Sequence, residues 1–154
     1  MAIRICGIDP GKQGALAVIG EGEPSILLMP YVGKELDCRA VFSFLKDNEV
    51  DGVVLERQIG MAGQGRTSIF SIAKAYGELR ACVEILGVPY LTPLPTQWTK
   101  VALAGVPGSG KARNVAASRR LFPNVNLTPG RRTKPHDGIA DALLLATFGK
   151  EKLS

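Results

Sequence analysis

Apolar residues come along this chain first in short bursts and later in long stripes. Residues 4–9 (Arg4-Ile5-Cys6-Gly7-Ile8-Asp9) form an apolar run that stops at Pro10-Gly11, which predicts a buried strand. Residues 14–19 and 25–29 repeat the pattern after short intervals, as antiparallel hairpins do. Within residues 37–48, Val41, Phe44 and Leu45 recur at helical spacing, and Val53-Val54-Leu55-Glu56 is a further short strand that finishes on an acid. The longest helix is predicted over residues 67–87. There Ile69, Ile72, Tyr76, Leu79, Val83 and Leu86 step by three or four to define one apolar stripe, and Gly87 is a natural stop. A last strand over residues 88–92 precedes Pro93 and Pro95, and helices are predicted over 96–103, 111–121 and 137–148.

Three strands, a helix, a strand, a helix, a strand and terminal helices predict an α/β protein with a mixed five-stranded sheet flanked by helices. A length of 154 residues suits one domain spanning the whole chain, and no repeat or low-complexity segment divides it. Only residues 104–110 and 124–135 are loop-like, and the second tract is basic.

Composition narrows the classes. A hydrophobic fraction of 45% with 21% charged residues is that of an ordinary globular protein. No apolar run approaches the roughly 18 residues of a membrane span, so no membrane partner is expected. The N-terminal residues lack the basic, apolar and small-residue segments of a signal peptide. Cys6, Cys38 and Cys82 are scattered and form no metal-type pair, which points to reduced thiols and a cytoplasmic location. A net charge of +5 favours a polyanionic partner without establishing one.

Four acids stand where an acid is hard to explain structurally. Asp9 ends a buried-looking strand, Glu56 closes another, and Asp137 and Asp141 open an otherwise apolar helix. Residues four apart on a helix are offset by about 40° and lie one turn apart, so Asp137 and Asp141 point the same way. Like charges so placed repel unless a cation or basic group neutralises them. Each acid has a plain structural reading too: a turn residue at Asp9, a surface acid at Glu56, a helix cap or first-turn residue at Asp137. Asp141 has the weakest such reading, because it sits among Ile139, Ala140, Ala142, Leu143, Leu144 and Leu145, where an unpaired carboxylate is expensive. Taken together, the four are the oxygen donors that magnesium prefers, and two such ions about 4 Å apart can activate a water and stabilise the leaving oxygen of a phosphodiester.

These residues resemble the motifs of the RuvC family of Holliday-junction resolvases. Gly7-Ile8-Asp9-Pro10-Gly11 looks like the family's first-strand motif, and Val54-Leu55-Glu56 before a long helix is similar to its second acidic motif. The run from His136-Asp137-Gly138-Ile139-Ala140-Asp141 to Ala146 looks like its terminal catalytic helix. The resemblance covers almost the whole chain, in order. It implies an RNase H-like nuclease fold, a crossover junction endodeoxyribonuclease activity, and a homodimer that nicks two opposed strands of a four-way DNA junction. It also implies Asp9, Glu56, Asp137 and Asp141 as catalytic residues that bind two magnesium ions per active site, with manganese as an alternative. In cellular bacterial members the third ligand stands three residues before the last acid, where this chain has Gly138; here Asp137 stands four before, as in phage-like relatives. His136 beside it can assist or replace Asp137, or be an exposed residue preceding the helix.

Lys100 and Lys111 resemble a lysine pair that flanks the family's active site and contacts the scissile backbone. Arg131, Arg132 and Lys134 immediately precede the terminal helix and would lie near bound phosphate if that helix is catalytic. Residues 60–68 form a glycine-rich loop in which Gln64 and Arg66 are candidate contacts to a junction crossover; an ordinary solvent loop accounts for it equally. Gly105 to Lys111 has the spacing of a nucleotide phosphate loop, but Ala112 stands where that motif needs Ser or Thr, and a helix rather than a strand precedes it. Actin-like kinases share the first-strand pattern but need two lobes. A flap, fork or RNA–DNA hybrid nuclease of the same fold stays open as an alternative. So does a non-catalytic module that binds branched DNA, although such a module gains nothing from converging negative charges.

Overall fold

The computed structural model describes residues 2–60 and 63–154. Strand β1 (Ile5–Asp9) is the hub. It pairs antiparallel with β2 (Ala15–Ile19), which pairs antiparallel with β3 (Ser25–Leu28). The short loops between these strands permit nothing else. A small hairpin of β4 (Tyr31–Val32) and β5 (Glu35–Leu36) follows, and then helix α1 (Cys38–Asp47) leads to β6 (Gly52–Leu55), parallel to β1. Helix α2 (Arg66–Leu86) leads in turn to β7 (Tyr90–Leu91), parallel to β6. Helices α3 (Pro95–Ala102), α4 (Gly110–Leu121) and α5 (Asp137–Leu153) close the chain. The five-stranded order β3-β2-β1-β6-β7 is the mixed sheet that the hydrophobic pattern predicts.

Both faces of the sheet are covered, and successive strand residues alternate between them. Ile5, Ala15, Ala17 and Val54 pack with Trp98 of α3, Val115 of α4 and the apolar side of α5, whereas Cys6, Ile8, Leu16, Val53 and Leu55 pack with Val41 and Leu45 of α1 and Leu79 and Val83 of α2. A period of two fed into two apolar layers explains why the central strands read as unbroken hydrophobic runs. Helix α5 lies so close on β1 that a Cβ on Gly7 would come within 2.0 Å of the Ala142 carbonyl oxygen. Among the described residues, no helix is long and apolar enough to cross a membrane, and the three cysteines are free thiols.

Four details depart from the pattern-based reading. The β4–β5 hairpin goes unread because its strands are two residues each, too short to show a period. Strand β7 is trimmed to Tyr90–Leu91 between Pro89 and Pro93, which lack the N–H a longer ladder needs. Helix α5 runs through Gly149 to Leu153; the glycine is a packing site rather than a stop, since a Cβ there would lie 2.4 Å from Val54 Cγ2. Finally, the α2 stripe is not uniformly core: Leu79 and Val83 are buried, whereas Ile69 is 40% exposed. The first turns of α2 are largely exposed and border an open cavity shared with Pro10, Lys12 and Tyr31.

Candidate active site

Two adjacent parallel strands deliver the first pair of acids. Asp9 is the last residue of β1, and Glu56 follows the end of β6, where its N–H donates to the Ile8 carbonyl at 3.1 Å. Leu55 stands opposite Ile8 in the register, so Glu56 lies beside Asp9. The chain leaves Asp9 through a turn closed by the Gly14 N–H on the Gly11 carbonyl at 2.8 Å. Only glycine fits at position 14, because a Cβ there would meet the Asp9 carbonyl oxygen at 1.9 Å.

Helix α5 brings the second pair. Its N-terminus packs on the same turn: a Cβ on Gly138 would sit 2.5 Å from the Gln13 carbonyl oxygen. A side chain at position 138 is therefore sterically excluded in this arrangement, and the first acid of α5 is Asp137. His136 is the N-cap of α5, its Nδ1 accepting from the Ile139 N–H at 3.1 Å and its own N–H donating to the Leu127 carbonyl at 2.6 Å. It is buried, at 5% exposure, not an exposed residue preceding the helix. Burial, then the charge of Arg132, lowers its pKa and favours the neutral ring that this cap requires.

Helix α4 lays a polar stripe along α5. Lys111, Asn114 and Ser118 follow helical spacing on one face. Lys111 Nζ lies 2.6 Å from Asp137 Oδ2, Asn114 Nδ2 donates to Asp141 Oδ1 at 2.7 Å, and Ser118 Oγ donates to the Ala140 carbonyl at 2.9 Å. From the other side, Trp98 Nε1 of α3 donates to Glu56 Oε2 at 2.6 Å. Among the described residues, Asp9 alone of the four acids has no hydrogen bond or ion pair to its carboxylate.

The electrostatics follow from crowding. Burial first, then the Asp141 and Glu56 carboxylates, push the Asp9 carboxyl up to about 7, against the opposing pull of Lys111. Glu56 and Asp141 are also raised, chiefly by burial, and the hydrogen bonds from Trp98 and Asn114 work the other way. Lys111 is raised by its bond to Asp137. A pocket that resists its own negative charge is one in which a cation is favoured. The donors are carboxylate oxygens, which suit a hard divalent ion. Lys111 is paired with Asp137, and among the described residues no three ligand-type side chains share one ion-sized site.

The predicted basic residues distribute unevenly. Lys111, Arg132 and Lys134 line one groove of about 440 Å³ together with Asp137 and with Arg119, which no sequence pattern marks. Arg131 is exposed but does not line it. Lys100 is exposed in the last turn of α3, about 200° around the helix from buried Trp98. Arg66 begins α2, and Gln64 lines a separate small cavity with Gln58, Ile72 and Tyr76; Met61 and Ala62 of the same loop lie outside the described residues. The Gly105–Lys111 segment joins two helices and does not leave a strand, as a nucleotide-binding loop would. Trp98, Asn114 and Arg119 were not singled out in the sequence. Tertiary packing brings the acid partners of Trp98 and Asn114 and the groove beside Arg119, and the one sequence signal is a lone tryptophan near the start of a short helix.

This architecture is the RuvC-type, RNase H-like fold. Thermus thermophilus RuvC in complex with a Holliday-junction substrate superposes with a TM-score of 0.68 at 19% identity, covering 97% of this chain and 96% of that one. The yeast mitochondrial Holliday-junction resolvase gives 0.63 at 14% identity over 96% of this chain and 78% of its own. The fowlpox virus resolvase gives 0.53 at 20% identity over 97% and 99%. No protein-family model and no curated protein sequence matches the chain.

Proposed function

We propose that this chain is a metal-dependent endonuclease that cuts branched DNA, four-way junctions above all, by paired nicks from a homodimer. The observation that carries the reading is that Glu56, Asp137 and Asp141 all lie within electrostatic reach of half-buried Asp9, beside a groove lined by lysine and arginine, in a fold shared with three Holliday-junction resolvases. An acidic pocket repels DNA and a basic groove attracts it; the combination makes sense where cations bridge the two.

The four acids would hold two divalent cations, magnesium or manganese, which when bound supply the activation of water and the stabilisation of the leaving oxygen. The chain's own residues do the rest. Lys111 spans groove and pocket, so that its ammonium is within reach of both Asp137 and a phosphate oxygen. Arg119, Arg132 and Lys134 hold the backbone in the groove, and Lys100, Arg131, Arg66 and Gln64 extend the contacts along the strands. Such contacts position DNA without reading its sequence. His136 serves as the cap that fixes the start of α5, and so fixes where Asp137 and Asp141 point.

The test is cleavage of a panel of duplex, fork, RNA–DNA hybrid and four-way substrates with magnesium present. Native protein should cut the four-way junction best, and Asp141→Asn should cut at least 100-fold more slowly while still binding it, as loss of a group acting directly on the reaction does (on the order of 2.7 kcal/mol). Native-rate cleavage by Asp141→Asn would remove the site. Preference for fork or hybrid would keep the site and change the substrate.

A further inference from the structure

The contact between α3 and Glu56 carries a consequence for how that acid works. We propose that Trp98 is a positioning residue: its indole N–H pins Glu56 Oε2, so that the carboxylate turns its other oxygen toward a divalent cation, and the tryptophan's emission reports that event. The inference rests on the proposed function of Glu56 as a metal ligand.

The geometry is specific. Trp98 is 1% exposed and packs in the core layer under α5, so its ring has no freedom to follow a moving partner. Its Nε1 lies 2.6 Å from Glu56 Oε2, a short, charge-assisted hydrogen bond. Glu56 stands beyond the end of β6, its backbone fixed by its own N–H on the Ile8 carbonyl and by the Arg57 N–H on the Pro93 carbonyl, so what is left to orient is its side chain, which is longer than that of Asp9. Of the available tethers, an indole N–H is apt because it only donates. It cannot ligate a metal itself, and unlike a lysine it brings no positive charge into the pocket. One oxygen of Glu56 is thereby committed to α3, and the other has no partner among the described residues. A phenylalanine would fill most of the same core space and leave Glu56 untethered.

The chain contains one tryptophan, so its fluorescence comes from this position alone. A cation drawing charge from Glu56 alters the field at the indole, and a paramagnetic ion quenches it directly. Manganese titrated into the metal-free protein under tryptophan-selective excitation should quench emission saturably, with magnesium competing. Glu56→Gln keeps an acceptor for the indole but loses the charge, and should shift the midpoint at least tenfold to higher manganese. Trp98→Phe, followed by calorimetry, should weaken manganese binding roughly 10- to 100-fold, the usual cost of losing a group that orients a metal ligand. It should lower kcat on the four-way junction without changing junction Kd. Native manganese affinity in folded Trp98→Phe would overturn the proposal. So would an emission spectrum of the native protein that ignores manganese while calorimetry records its binding, a result that does not depend on the variant folding. Absence of any manganese binding by calorimetry would instead remove the metal site, and this inference with it.

Discussion

Asp9 is held at a cost that pH should expose. Its folded pKa of about 7 lies above the ordinary 3.8, because burial and the carboxylates of Asp141 and Glu56 oppose its charge. Between those two values the folded chain binds more protons than the unfolded one, so this residue lowers stability progressively as pH rises through the interval and by its full amount above it. Asp9→Asn removes the charge and keeps the shape. In chelator, the variant should melt higher than native at about pH 8, by on the order of 2 kcal/mol, since a half-buried carboxylate keeps part of its hydration, and the advantage should vanish near pH 4. Equal stability of the two proteins across that range, followed by thermal melts, would mean that Asp9 is not crowded. The four acids were legible in the sequence for a related reason: each interrupts or ends an apolar run, where a charge needs an explanation. The residues that hold them were not. Trp98, Asn114 and Arg119 sit at unremarkable helical positions; only the packing of α3 and α4 gives Trp98 and Asn114 their acid partners and sets Arg119 on the groove.

At the scale of elements, α4 divides its faces between chemistry and charge. Val115 and Ala117 face the core, Lys111 and Asn114 meet the acids of α5, and Arg119 opens onto the groove shared with Arg132 and Lys134. A phosphate backbone in that groove releases counterions, so binding should weaken steeply with salt. Arg119→Ala and Lys134→Ala should each lower the logarithmic salt slope for junction binding by about 0.9, the value for one duplex phosphate contact. An unchanged slope in both, measured by titration across salt concentrations, would place DNA elsewhere. The elements themselves were read from their periods where two apolar layers impose them, as for β1, β2, β6 and α5. The reading failed where period and burial part company. Gly149 resembles a helix stop but is the point where α5 crosses Val54, and the apolar side of α2 continues past the core that the pattern implied.

The exposed apolar residues of α2 bear on the whole molecule. A four-way junction offers two equivalent strands, and matched nicks need two sites related as those strands are, which a two-fold homodimer supplies. One protomer contains one set of acids. The face of α2 formed by Phe70, Ala73, Gly77 and Ala81 follows helical spacing, and all four residues are exposed, with Phe70 at 69%. At its centre the face packs on nothing in the protomer: a Cβ on Gly77 would find nothing within 4 Å. An exposed phenylalanine beside small residues is suited to a close helix–helix approach, and a second copy of the chain is the partner that the paired-nick reading requires. Gly77→Leu probes it with little risk to the fold, since the position is open and glycine in a helix interior is about 0.8–1.0 kcal/mol worse than alanine, with leucine close to alanine. The variant should melt at least as high as native, sediment as a monomer, and nick one strand of a junction without resolving both together. Loss of the dimer with a raised melting temperature separates the contact from helix propensity. Native protein that sediments only as monomer, both free and on a four-way junction, would remove the dimer and leave a nuclease that cuts one strand at a time.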